Sequence, residues 1–111
     1  MSRITITVNE SCQSSSAGDF IVRYRGELDI VSNSREITID CVSTYPSEVD
    51  AEQKDAALEA IRVGFASVLH SRECGAHVRV FDLLIHPVDF STWKFESFSA
   101  KYLAAALEGH S

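Results

Sequence analysis

Residues 84–95, LIHPVDFSTWKF, set a histidine, a proline, an aspartate and a serine at the junction of two apolar patterns. An apolar run ends in His86-Pro87-Val88-Asp89 and gives way to a helix-like pattern from Ser91. Proline fixes its own φ and biases the residue before it away from helix, so this order holds the His86 imidazole rigidly at a strand end, as a contact tip would. The same order also makes an ordinary strand-to-helix turn, with Asp89 or Ser91 accepting backbone amide hydrogen bonds as the cap. His86, Asp89 and Ser91 are the residue types of a catalytic triad, but triads are defined by geometry and not by nearness in sequence. No other nucleophile–base constellation stands out, so the chain is expected to be non-enzymatic.

Two further groups carry potential chemistry. His70, Cys74 and His77 bring soft and imidazole ligands close together, as zinc or copper would require. A structural zinc site wants four ligands, and no second Cys/His pair supplies the fourth, so no metal and no other cofactor is expected. Arg3, Arg23, Arg25 and Arg79, with His77, fall at outward or loop-adjacent strand positions. Five acidic residues cluster instead between 48 and 59. A basic sheet face opposed to an acidic helix would suit RNA phosphate or an acidic protein. Equally, it would suit a solvated face whose arginines pair with Glu36 and Asp40. No aromatic pair on that face offers the base-stacking platform of an RNA-binding sheet. Trp93 and Phe90 lie off the main helical stripe and are candidates for exposure to a partner or a second copy.

These groups must be positioned by a chain of 111 residues, a length that suits one domain with one core. The net charge of −6 works against nonspecific nucleic-acid binding, which depends on neutralising phosphates. No apolar run reaches the roughly 20 residues that span a bilayer. The opening MSRITITVNE has neither the apolar block nor the cleavage site of a signal peptide, and three unpaired-looking cysteines fit a reducing compartment, so a cytoplasmic protein is expected. No Gly-rich phosphate loop ending in Lys-Ser/Thr occurs, so no nucleoside triphosphate is expected by that mechanism.

RITITVN at 3–9 alternates strictly and predicts a half-buried strand, with Ile4, Ile6 and Val8 on one face. SCQSSSAG at 11–18 reads as a loop. DFIVRYR at 19–25 predicts a second strand, in which Gly26 permits a bend or bulge before ELDIV. REITIDCVS at 35–43 predicts a third, with Ile37, Ile39 and Cys41 inward, and the three together suggest an antiparallel meander. The period then becomes helical, through Ala57, Leu58, Ile61, Phe65, Val68 and Leu69. Ser47 is the expected N-cap and Gly75 the expected stop. AHVRVFDLLI predicts a fourth strand whose apolar phase shifts near Val80-Phe81, and a last helix runs from about Ser91 to Glu108, with Gly109 ending it. The order β-β-β-α-β-α predicts an α+β two-layer sandwich, a four-stranded sheet with two helices on one face and the other face open.

Within this frame, ALEAIRVGFASV and AHVRVFDLLIHPVDFSTWKFESFSAKYLAAAL resemble the C-terminal half of domain IV of translation elongation factor G. In that family a helix with an Ile-Arg-x-Gly-like core leads to a strand. The strand ends in a His-x-Val-Asp-Ser-Ser loop, which starts a helix with a Phe-Lys-x-Ala-Ala pattern. Here the helix carries IRVGF at 61–65, the loop reads His86-Pro87-Val88-Asp89-Phe90-Ser91, and the next helix keeps Phe95 and the spacing of Ser99, Ala100, Leu103 and Ala104. The likeness covers residues 55–108 by motif and 1–50 by element order. It departs where SSSAGDF replaces the family's Gly-Arg-Gly-Gln-Tyr-Gly loop and Phe90 replaces the first Ser. The resemblance implies a ribosomal-protein-S5-domain-2-like fold and a stand-alone, translation-related protein binding the ribosome or RNA. It makes His86 the tip residue, anchored by Val88-Asp89. The alternative is a protein-interaction or homodimerisation module using the open sheet face or an exposed strand edge.

Overall fold

The computed structural model describes residues 2–12, 20–86 and 90–109. Strand β1 (Ser2–Cys12) pairs antiparallel with β2 (Phe20–Ser32), and β2 pairs antiparallel with β5 (Cys74–Phe81). Strand β3 (Ile37–Cys41) does not join β2 as a meander would. It lies beside β5 and parallel to it, so the sheet order is β1-β2-β5-β3 and is mixed. Parallel neighbours need a crossover, and helix α1 (Ala51–Leu69) supplies it. Short strands β4 (Thr44–Tyr45) and β6 (Leu83–Leu84) continue this parallel pair past a break, and helix α2 (Thr92–Glu108) closes the order.

The sheet's period of two sorts its faces. Ile4, Ile6, Val8, Val22, Tyr24, Leu28, Ala76, Val78 and Val80 point to the helices and are buried. From α1, Ala57, Ala60, Ile61, Phe65 and Leu69 meet them; from α2, Phe95, Ser99 and Leu103 do. Helix α2 covers β1 and β2 while α1 covers β3 and β5, a two-layer α+β sandwich with one open sheet face.

Three local expectations are corrected and a fourth, the phase shift after Val80, is given its cause. Gly26 makes no bulge: β2 runs unbroken, with Gly26 in register between Ile6 and Val80. The cap of α1 is Asp50, whose carboxylate accepts the Gln53 amide at 2.9 Å, because Thr44 Oγ1 donates to the Pro46 and Ser47 carbonyls and keeps that turn outside the helix. The helix stops at Leu69 and passes through a 3₁₀ turn (His70–Arg72) to Glu73 in the left-handed region at φ 57°. Gly75 is instead a strand residue, where a Cβ would collide with the Glu36 carbonyl oxygen. The phase shift after Val80 is a real break: Asp82 has φ 53°, its amide donates to Ser43 Oγ at 2.8 Å, and Ser43 Oγ donates back to its carboxylate at 3.3 Å. Aspartate tolerates this conformation better than most residues.

The helices touch at Gly64. A Cβ there would overlap the Glu96 carbonyl oxygen of α2 and sit 3.2 Å from Ser99 Cβ. Beneath that contact the Tyr24 hydroxyl, rising from the sheet, shares a buried 2.5 Å hydrogen bond with Ser99 Oγ. Burial holds the Tyr24 phenol well above its ordinary range, the Ser99 bond opposing this only in part.

Gly64→Ala should destabilise by about 1–3 kcal/mol through overpacking, despite about 1 kcal/mol of gained helix propensity. Gly26→Ala, whose Cβ would meet Ile6 and Tyr24 at an ordinary 3.5 Å, should change little. Urea unfolding of the two variants checks this, and equal losses would contradict it. Tyr24→Phe should cost about 1 kcal/mol, and its loss should not add to that of Ser99→Ala. The Tyr24 phenol also sets an alkaline limit. The unfolded chain ionises near pH 10 and the folded one higher, so stability is full below about pH 10 and falls as pH rises past it. Tyr24→Phe should flatten that fall in a pH series of melting temperatures.

Candidate functional site

The open sheet face is a grid of polar side chains set by strand register. Arg3, Asp29 and His77 lie in one row across β1, β2 and β5, and Glu27, Arg79 and Asp40 in the next across β2, β5 and β3. Arg3 Nε donates to Asp29 at 2.9 Å, and Arg79 donates to Glu27 at 2.8 Å. His77 Nδ1 is 2.8 Å from Thr38 Oγ1 on β3. The Arg3 hydrogen bond holds the Asp29 carboxyl below its usual range, with the charges of Arg79 and His77 adding to the effect. The arginines thus pair with β2 carboxylates, not with Glu36 and Asp40. Asp40 does stand opposite Arg79, but Glu27 stands opposite on the other side and takes the guanidinium.

Arg23 and Arg25, nearer the start of β2, differ. Arg23 donates to the Asn9 side chain at 3.3 Å, and Arg25 lies over the Phe81 ring at 4.5 Å from its centroid. Both partners are neutral. Among the described residues, neither arginine forms an ion pair, so this end of the face keeps its positive charge.

The same end carries His86. It is exposed, just past β6, on the rim of a cleft of about 410 Å³. Leu84, Ile85 and Val49 form the cleft's apolar part; Tyr45, Glu48 and Asp50 complete it. Tyr45 is 68% exposed and also borders a second hollow of about 270 Å³ with Arg23, Asp82 and Leu84. Tyr45 therefore links the His86 side of the tip to the Arg23 side. Sequence reasoning passed over it because a lone Tyr-Pro after a strand reads as turn chemistry. The signal was the parallel extension β4–β6, which the Asp82 break conceals.

Ser91 caps α2, accepting the Lys94 amide at 3.4 Å. Pro87, Val88 and Asp89 fall outside the described residues. Phe90 is half-buried, tilted on Phe95 at 5.7 Å, whereas Trp93 is 65% exposed. His70, Cys74 and His77 do not converge. His70 Nε2 lies 3.1 Å from the Arg35 carbonyl, Cys74 Sγ donates to the Arg72 carbonyl, and His77 turns to Thr38; no three-residue ligand group forms among the described residues. The acidic residues at 48–59 lie before and along the first part of α1, so the tip combines cations on the sheet with carboxylates beside the cleft.

Arg3→Gln should return the Asp29 titration toward about 3.9, read from carboxyl carbon shifts by NMR. The folded carboxyl titrates lower than the unfolded one, so the pair's contribution is present above about pH 4 and is lost as pH falls through the folded value. Arg3→Gln should flatten that acid-side slope, and an unchanged Asp29 titration would contradict the assigned pairing.

No helix of the described residues is long and apolar enough to cross a membrane. No family model matches the chain, and no curated protein matches it. Among solved structures, it is similar to a crystal structure of a protein from Thermus thermophilus, with a TM-score of 0.57 and 16% sequence identity. That likeness covers 96% of this chain but only 16% of the other, so the present fold corresponds to one segment of a much longer chain. At this identity the likeness shows a shared fold.

Proposed function

We propose that this domain is a non-enzymatic relative of elongation factor G domain IV that binds RNA or a ribonucleoprotein through one end of its sheet. The observation that carries the reading is the meeting of Arg23, Tyr45 and His86 around adjacent hollows, where the sheet face keeps cations outside its ion-pair grid. Guanidinium groups attract phosphate, an exposed tyrosine ring offers a stacking surface, and an imidazole can donate or accept a hydrogen bond. The His-x-Val-Asp resemblance points to the same end of the molecule. The net charge of −6 is compatible with this because the sheet carboxylates Asp29 and Glu27 are taken up by Arg3 and Arg79, leaving Arg23 and Arg25 outside the ion-pair grid.

Co-sedimentation with ribosomes from the protein's own source, across a salt series, tests it. Binding should weaken with salt. Arg23→Ala/Arg25→Ala should reduce the log–log salt slope by about 1 for each arginine that contacts phosphate, and His86→Ala should weaken binding at every salt concentration. Unchanged association in both variants would overturn the proposal.

A second reading, a homodimer or protein-interaction module, is favoured by β1. It is an edge strand of 11 residues, paired only with β2 among the described residues, and such edges recruit further strands. Light scattering separates the readings: a stable dimer whose salt-resistant contact shields the arginine face supports the second.

A further inference from the structure

A second surface lies at the same end of the molecule but on the helix side of the sheet. Phe20 opens β2 and stacks on Phe98 of α2, ring centroids 5.5 Å apart. Lys94 Nζ sits 4.8 Å from the Phe20 centroid and 4.8 Å from that of Trp93. Lys101 Nζ lies 6.0 Å from the Phe98 centroid. Trp93, Lys94, Phe20, Phe98 and Lys101 thus form one continuous strip in which cations and aromatic rings are interleaved. Lys94 and Lys101 are seven residues apart, two helical turns, so both emerge on one side of α2, about 10 Å apart along its axis. Trp93, at the end of the strip, is the chain's single tryptophan and leaves 65% of its surface to solvent.

An exposed indole with ammonium groups beside it can take a flat ring by stacking and an anion by charge, and that chemistry selects a partner. A purely apolar partner surface would leave the two lysines without counter-charge. A duplex keeps its base faces stacked away from any side chain. A single strand offers both requirements together: free base faces for the indole and phosphates for the two lysines. We propose that this strip binds single-stranded RNA, with an unpaired base stacked on Trp93 and backbone phosphates on Lys94 and Lys101. The inference rests on the RNA-binding reading above and gives it a substrate class. The strip is separate from the His86 tip, being held by α2 and the start of β2 and not by β4 and β6.

The lone tryptophan makes the test direct. The full chain is titrated with a 12-nucleotide mixed-sequence single-stranded RNA, the matching duplex, and heparin as a base-free polyanion, following indole fluorescence. Saturable quenching by the single strand, with at least about tenfold weaker effects from the duplex and heparin, is the expected result. In Lys94→Gln/Lys101→Gln the quenching should weaken and its log–log salt slope should flatten by about 1.4, near 0.7 for each single-strand phosphate contact. Trp93→Ala, at an exposed position, should keep its melting temperature and lose about tenfold in affinity for a dye-labelled single strand read by anisotropy. Equal quenching by heparin, or none by RNA, overturns the strip as a base-stacking site. If ribosome co-sedimentation persists in that case the tip reading stands without it; if both fail, both fall.

Discussion

The close approach of the two helices at Gly64 is the constraint on which the rest of the molecule depends. The helix α1 backbone rests against the Glu96 carbonyl of α2 with no room for a methyl group between them. At that separation Tyr24, standing on the second strand, reaches Ser99 with its hydroxyl, and one bond satisfies two buried polar groups. The contact fixes α2 along its length. Its first turn, with Ser91 as the cap and Trp93 exposed, therefore has a set position relative to the start of β2. The tip surfaces are consequences of this packing, since they are built from what the two helices and the sheet leave uncovered at one end.

A second organising feature is electrostatic and follows from strand register alone. Pairing β1, β2 and β5 antiparallel sets Arg3 against Asp29 and Glu27 against Arg79, so half of the open face neutralises itself. Toward the start of β2 the cross-strand partners are Asn9 and Phe81, which position the guanidinium groups without cancelling their charge. Exposed ion pairs of this kind contribute little stability, and their value is in arranging the field. An acidic chain can thus present a local cationic end.

Much of this was legible in the sequence. The alternation at 3–9, 20–25 and 37–41 assigned strands and their buried faces, and the spacing of Ile61, Phe65 and Leu69 placed α1 against the core. Pairing was not legible. Whether β3 joins β2 or crosses over to β5 depends on long-range contacts, and alternation reads the same in either sheet. The glycines misled for a related reason. Gly26 and Gly75 look like a bend and a stop, yet one lies in an unbroken strand and the other yields space to the Glu36 carbonyl. At the open face, the four arginines and His86 were singled out from residue type and position, but that Asp29 and Glu27 engage Arg3 and Arg79 while Arg23 and Arg25 meet neutral partners was not legible. Tyr45, and the seating of Lys94 and Lys101 on aromatic rings, emerged only from the fold.

The most direct test of RNA recognition at this end of the sheet is a backbone amide NMR titration of the labelled protein with single-stranded RNA. Shift changes should concentrate at Arg23, Arg25, Tyr45 and His86 and along the strip at Trp93, Lys94 and Lys101, with the opposite end, Asn33 to Arg35 and Glu73, unmoved. Changes concentrated at Asn33 to Arg35, or none at all at saturating RNA, would contradict it.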